Sequence, residues 1–432
     1  MFKRFAFVSL VVVLLVAMAP AVQTTRAQAQ PTELTFWTFV QDHADYWVAQ
    51  ADHWNAEHPD RPITLTPTIY PWADMHDKLL LALQSGQGAP DLVDIEISRW
   101  GPFLKGDIHL QDLTDLVANA PVKLVESRMI YQKDGKVYGI DYHVGTYVMY
   151  YNTEVMAQVG VDIDSIKTWD DYIAAGKKVI EATNGEVMMA PLETIGCFPG
   201  RALMLMNGGG VYDKDGNLIV DSPANAEALQ FMADLMHVHK IAAIAPGSEV
   251  HSQEFYAAMN EGKFASMWMP QWYMTRFTNF MPDLEGKIAV RPMPIWPDKP
   301  GTFASSMGGG TGTAITDQID EDKLQLAKDF LAYGKLTYEA GVRIWTELGF
   351  DPIVMDVYDD PELTKPLPYF HNEDVFSMIK QMQPSLAPEY LGPQYADALA
   401  IIGSATCYDI LEGGVPPAEA LASLKEQLAS ME

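Results

Sequence analysis

The chain has 432 residues, 48% of them hydrophobic and 11% aromatic, and a formal net charge of −28. Such a surface repels nucleic acid, whose binding depends on Lys and Arg neutralising phosphates, and it disfavours anionic membranes and polyanionic ligands, though it leaves room for one anion in a locally basic cleft. The length exceeds what one hydrophobic core usually holds, so two lobes are expected.

Met1-Phe2-Lys3-Arg4 forms a cationic head, and an apolar run from Phe5 to Ala19 follows, broken only by Ser9. A membrane span needs roughly 20 apolar residues, so this shorter run reads as a secretory signal. Ala27-Gln28-Ala29 supplies the cleavage pattern, which makes 1–29 the signal peptide and Gln30 the mature start. No cysteine stands at the leader's end, so a soluble, lipid-free product in a periplasm or outside the cell is expected. Stable membrane insertion is not.

From there strands alternate with helical patterns. Residues 34–38 read as a strand, 44–57 as a helix with Trp47, Ala51 and Trp54 at helical spacing, and 63–69 as a second strand. A helix at 74–85 and a buried strand at 92–95 follow. This β-α-β-α-β order implies a mostly parallel sheet covered by helices. Further strands are expected at 136–140 and 146–151. A second run of α/β units has helices at 169–182, 224–238 and 253–262 and a strand at 264–269. Beyond Gly312 the pattern is mostly helical, at 321–333, 338–348, 374–383, 394–411 and 417–430.

Several motifs fail on their own terms. Tyr212-Asp213-Lys214-Asp215-Gly216-Asn217 lacks the third acidic position and the closing Glu of a calcium loop, so it reads as a hairpin turn. The glycines of 307–312 have no strand-Gly-helix context for a dinucleotide. Cys197 and Cys407 are too few for a zinc site, and outside the cytoplasm a disulfide between them stays open. No metal or cofactor is expected.

Six stretches then resemble, in order, the bacterial extracellular solute-binding proteins of ABC importers, of the maltose- and sugar-binding type. They are Leu34-Thr35-Phe36-Trp37; Gly88-Ala89-Pro90-Asp91-Leu92-Val93; Val137-Tyr138-Gly139-Ile140-Asp141-Tyr142 with Met149-Tyr150-Tyr151-Asn152; Thr168-Trp169-Asp170-Asp171-Tyr172; Asn207-Gly208-Gly209-Gly210-Val211-Tyr212 with Asp221-Ser222-Pro223-Ala224; and Glu261-Gly262-Lys263-Phe264-Ala265-Ser266-Met267. The resemblance implies an α/β, two-lobed periplasmic-binding-protein fold, with a ligand cleft between lobes joined by crossing strands. By analogy, 30–143 plus 304–365 form lobe 1, and 144–303 plus 366–432 form lobe 2. The partners it implies are a small polar ligand, a sugar or short oligosaccharide, and the importer's membrane subunits, with the protein itself a monomer.

A sugar offers apolar faces that stack on aromatic rings and hydroxyls that bond to carboxylates and amides. With the resemblance, this singles out ten residues. Gln41 and Asp42 lie past the first strand, where the family has a cleft loop; they also read as helix-capping or surface residues. Glu96 stands where the family often has an Asp that accepts ligand hydroxyls, and it also reads as a solvated loop carboxylate. Tyr142 and His143 lie at the first crossing, after an Asp141 where the family usually has Pro. Phe198 occupies a stacking position that core packing would equally explain. Relatives commonly show Asn-Gly-x-Trp at Met269-Pro270-Gln271-Trp272, so Trp272 is the leading aromatic, with Trp268 behind it. Gly310 and Thr311 sit where relatives often have Gly-Trp; Thr311 removes that platform, which implies a smaller or more polar ligand.

Rival readings remain. A secreted glycosidase would need two carboxylates roughly 5–10 Å apart, but neither His-Glu-x-x-His nor Gly-x-Ser-x-Gly occurs, and no enzyme is expected. The acidity also suits a polyamine or other cation, and a polyol phosphate is a further alternative.

Overall fold

The computed structural model describes residues 30–126 and 130–431; the expected signal peptide and its cleavage site lie outside them. The first lobe is built on strands β1 (Thr32–Thr38), β2 (Ile63–Ile69) and β3 (Leu92–Glu96), with α1 (Gln41–Glu57) and α2 (Trp72–Ser85) between them. β1 pairs in parallel with both β2 and β3, in registers that set Thr32 beside Ile63 and Phe36 beside Leu92. The returning strand Thr311–Ile315 adds antiparallel to β3, and Ile140–Asp141 closes the edge. Leu92–Ile95 is buried throughout, as a central strand covered on both faces should be. Both helices start two or three residues before the apolar spacing shows, because their first turns are polar or exposed. α2 ends at Gly86, in the left-handed conformation that a Cβ disfavours.

The second lobe centres on Tyr147–Asn152, flanked antiparallel by Ser266–Pro270 and Ile288–Arg291. Helix Trp169–Thr183 starts at a capping box, with the Thr168 hydroxyl accepting from Asp171 N while the Asp171 carboxylate accepts from Thr168 N. Helix Pro223–His237 is capped by Ser222 and begins at a proline. The C-terminal helix Pro417–Ala429 packs on it.

Two expected elements are corrected. The strand at 136–140 is interrupted: Lys136–Val137 forms a hairpin with Gln132–Lys133, and only Ile140–Asp141 joins the main sheet. Between them Gly139 lies against the Trp100 indole, where an added Cβ would come within 2.3 Å. The helix at 394–411 is Tyr395–Ile401 and Cys407–Leu411 with a π-helical turn at Ile402–Thr406. There the Gly403 carbonyl accepts from Gly196 N at 2.8 Å, drawing the backbone toward a neighbouring loop. The hairpin at 212–217 is present, with Asp213 accepting from Asn217. Cys197 and Cys407 are joined as a disulfide with their Cα atoms 6.2 Å apart.

A charged network stitches the first lobe together. Buried Asp94 accepts from Thr38 Oγ1 at 3.2 Å, Tyr142 Oη at 2.9 Å and Thr313 Oγ1 at 2.5 Å, and pairs with His43 Nδ1 at 2.8 Å. Burial opposes its charge, but the His43 bond, the His43 and Lys335 charges and the Thr313 bond outweigh it and hold the carboxyl low. Lys335 donates to Ile140 O at 2.7 Å and sits 3.2 Å over the Tyr142 ring, where burial pulls it down to about 7.

Candidate ligand cleft

The turn after the carboxyl end of β3 meets the second lobe, at the edge where open α/β sheets bind ligands. Glu96 ends β3, and its Oε2 accepts from Ser98 N at 2.9 Å and from the Ser98 hydroxyl. Burial raises its carboxyl, against the Ser98 bonds and the nearby Arg201 charge. Its backbone N donates to His76 Nε2 at 3.1 Å, so His76 Nδ1 donates to Trp72 O at 2.6 Å. Burial holds His76 neutral, down at about 4. Trp72, 40% exposed, carries the Arg99 guanidinium 4.1 Å over its ring.

The lobes are joined where Thr146 bridges Met307 and His143 bridges Pro352. Asp351 ties this junction, accepting from Gly145 N at 2.9 Å, Thr146 N at 3.0 Å and Thr146 Oγ1 at 2.7 Å. Two glycines are required here. Gly145 (φ 75°) would place a Cβ 2.5 Å from Gly308 O, and Gly309 (φ 73°) would place one 2.9 Å from Trp272 Nε1.

The second lobe faces the cleft with an aromatic wall. Buried Glu193 accepts from Phe198 N at 2.9 Å and Val250 N at 2.8 Å, fixing the turn that starts helix Phe198–Met206. Burial lifts its carboxyl to about 8 in spite of those bonds. Phe198 meets Trp272 edge-on at 6.0 Å, and His251 stacks on Trp272 at 5.9 Å. Burial, then the Arg276 charge, pulls His251 down to about 3, so it behaves as a neutral ring. One helical turn beyond Phe198, the Arg201 guanidinium lies 5.2 Å over its ring. Burial works against that charge, but Tyr395, Tyr147, Glu389 and Glu96 around it hold it on. Glu389 accepts from the Tyr395 hydroxyl, and Tyr147 Oη donates to Phe198 O at 3.1 Å. Helix Tyr395–Ile401 lies against the turn after Glu96, and a Cβ on Gly101 would stand 3.2 Å from Pro393 O, so the two lobes meet here. Rings, two carboxylates and one guanidinium can grip apolar faces and hydroxyls together. Among the described residues no cluster of metal-ligating side chains occurs.

Comparison with known proteins decides the family. The model of the bacterial extracellular solute-binding proteins matches residues 41–335. The chain belongs to that family. It is 46% identical over 383 residues to an arabinooligosaccharide-binding protein of Halalkalibacterium halodurans, covering 85% of each chain. It is 42% identical over 387 residues to one of Bacillus subtilis, covering 88% of each. Among solved structures, a binding protein of B. animalis subsp. lactis in complex with β-1,6-galactobiose has a TM-score of 0.74 at 22% identity, covering 92% of this chain and 97% of that one. The maltose-bound T. maritima protein has a TM-score of 0.73 at 18% identity, covering 93% and 100%. These two share the two-lobed fold.

Within this solute-binding fold the ten expected residues separate. Glu96, Phe198 and Trp272 lie at the interlobe surface just described. His143, Gly310 and Thr311 belong to the junction: His143 packs on Phe350 at 4.8 Å, Gly310 O accepts from Ile97 N at 2.9 Å, and Thr311 pairs with Glu96 while donating its N–H to Asp141. Gln41 is exposed and turned to Asp45 on its own helix, with Asp42 in the same first turn. Tyr142 and Trp268 are corrected. Tyr142 is fully buried in the first-lobe core, its hydroxyl spent on Asp94 and Trp47 Nε1. Trp268, 1% exposed, points from its strand into the second-lobe core against Trp169 and Tyr172, and donates to Pro199 O at 3.2 Å.

Sequence reasoning missed Arg201, Glu389 and His251. The signal for Arg201 was its spacing, one helical turn after an aromatic already singled out. Glu389 and His251 carry no local motif; only the fold brings Glu389 to Arg201 and His251 to Phe198.

Proposed function

We propose that the protein captures a neutral arabinooligosaccharide outside the cytoplasm and delivers it unchanged to the membrane subunits of an ABC importer. The observation that carries this is the 46% identity, across 85% of both chains, to a protein named for that ligand class. The cleft supports it, because Phe198, His251 and Trp272 present ring surface beside Glu96, Arg201 and Glu389, the mixture a sugar requires. Arg201 sets a permanent positive charge between the lobes, which opposes a polyamine. On this reading Ala27-Gln28-Ala29 marks export, lobe 1 is 30–143 plus 304–365, and lobe 2 is 144–303 plus 366–432. The junction at Thr146–Met307 supports the first two boundaries.

A thermal-shift and calorimetric panel of arabinooligosaccharides, maltose, spermidine and glycerophosphodiesters tests it. A ligand at 100 times its Kd adds about 2.7 kcal/mol of stability, and arabinooligosaccharides are expected to give the largest shift, with no shorter products by chromatography. Stabilisation by spermidine alone, or release of shorter sugars, overturns the reading.

A further inference from the structure

We propose that Glu96, Arg201 and Glu389 form one polar subsite spanning both lobes, and that it takes a vicinal diol of a neutral sugar residue. This rests on the oligosaccharide reading above and names which part of such a ligand the polar groups recognise.

The three side chains are neighbours from distant parts of the chain, yet they do not satisfy one another. Arg201 is only partly exposed, and its guanidinium forms no hydrogen bond or ion pair with any described residue; its contact is the Phe198 ring. Glu389 is 7% exposed: one carboxylate oxygen accepts from Tyr395, and the other, Oε2, has no hydrogen-bond partner among the described residues. On Glu96 the Ser98 turn occupies Oε2 and leaves Oε1 outside it. A purely structural trio would close into an ion pair, since a buried charge without a partner is costly. Here both carboxylates lie within electrostatic reach of the guanidinium, yet no ion pair forms among the three.

The remaining donors and acceptors define a complement. Arg201 offers the rigid planar fork of N–H groups that suits two adjacent oxygens. Glu389 Oε2 and Glu96 Oε1 offer acceptors. A vicinal diol matches both sets, its two oxygens accepting from the fork and its two hydroxyl hydrogens passing to the carboxylates. A uronate would satisfy Arg201 but meet two carboxylates, and a diamine would satisfy the carboxylates but meet Arg201. Phe198, under the guanidinium, continues the apolar surface toward Trp272, so the next sugar face has its ring close by. Because Glu96 comes from the first lobe and the other two from the second, the diol would touch both walls at once.

The test compares wild type with R201K, R201Q and E389Q. Calorimetry uses an unmodified arabinooligosaccharide, the same sugar O-methylated on its terminal residue, and a uronate-bearing counterpart, and melting curves are taken without ligand. R201K keeps the charge and loses the fork, and it is expected to weaken the unmodified sugar about tenfold or more. R201Q and E389Q are expected to do the same without a matching fall in the unliganded melting temperature, since the three side chains form no ion pair with one another. The O-methylated and uronate sugars should bind wild type at least tenfold more weakly than the unmodified one, and E389Q should narrow the uronate penalty. Affinities within twofold of wild type in all three variants overturn the subsite while leaving the oligosaccharide reading intact. A melting temperature that falls in step with affinity makes Arg201 a structural residue and likewise overturns it. Failure of wild type to bind any arabinooligosaccharide overturns the broader reading and the subsite with it.

Discussion

Trp272 Nε1 donates to Gly308 O at 2.9 Å, so the aromatic wall of the second lobe is fastened to the segment that returns the chain to the first. The same indole stacks on His251 and meets Phe198. One side chain therefore serves as cleft surface and as a strut of the lobe junction. Its two roles are separable.

Trp272→Ala removes both, and it is expected to weaken ligand by about 2 kcal/mol or more, as a buried aromatic anchor does. Trp272→Phe keeps a ring and loses only the Gly308 bond, so about 1 kcal/mol is expected. Calorimetry on the folded variants decides. Equal affinities in wild type and Trp272→Ala would remove the residue from the binding surface.

Closure is expected to accompany binding. A cleft can enclose a small ligand only by shutting, and ligand drives shutting only through tighter binding to the shut state. Moving a 1:99 balance to 99:1 needs about 5.5 kcal/mol, within the roughly 8 kcal/mol of a micromolar ligand. The lobes meet at Gly101 and Pro393, where an added Cβ would stand 3.2 Å from the carbonyl. Gly101→Leu is therefore expected to hold the lobes apart, weaken ligand about tenfold and abolish the ligand-dependent fall in radius of gyration expected of wild type. A wild-type radius that stays constant at saturating ligand contradicts the hinge.

Acid should loosen the aromatic wall. His251 is pulled down to about 3 from an ordinary value of 6.5, so the unfolded chain takes up a proton before the folded one does. Stability from this residue is full above about pH 6.5 and declines as pH falls toward 3. Denaturant melts of wild type and His251→Phe across that window are expected to converge at low pH, with wild type showing the steeper loss. Parallel curves would count against a neutral buried His251.

The Cys197–Cys407 disulfide fixes the loop immediately before Phe198 to helix Cys407–Leu411. Replacing both cysteines by Ser is expected to cost about 2–5 kcal/mol, given the long loop that the bond closes. Ligand affinity should fall as well, because Phe198 and Arg201 follow directly. Urea melts and calorimetry on the double variant measure the two effects. Unchanged affinity would confine the disulfide to stability.

Much of the scaffold was legible in the sequence because its signals are local. Helix Tyr338–Leu348 falls where its periodicity places it, and the cap at Thr168 follows from Thr-Trp-Asp-Asp. The cleft was half legible. Trp268 and Trp272 look alike as letters, but Trp268 lies inside strand Ser266–Pro270 and follows its pleat into the core, whereas Trp272 lies past the strand's end and escapes it. Tyr142 beside a crossing looked available, yet its neighbours Asp94 and Trp47 come from other parts of the chain and consume its hydroxyl. Glu389 could not be found from spacing, since its relation to Arg201 spans nearly half the sequence and exists only once the sheets are assembled.

The Arg201 guanidinium at the cleft has a kinetic side. A chain of net charge −28 gathers cations from solution over distances comparable with the screening length, about 8 Å in physiological salt. Arg201 then meets them at the last few ångströms with repulsion, while an anion is turned away at long range and meets Glu96 and Glu389 beside that guanidinium at contact. Both kinds of ion thus meet an opposing charge on the way in. An uncharged sugar feels neither, so its capture rate should be nearly independent of ionic strength.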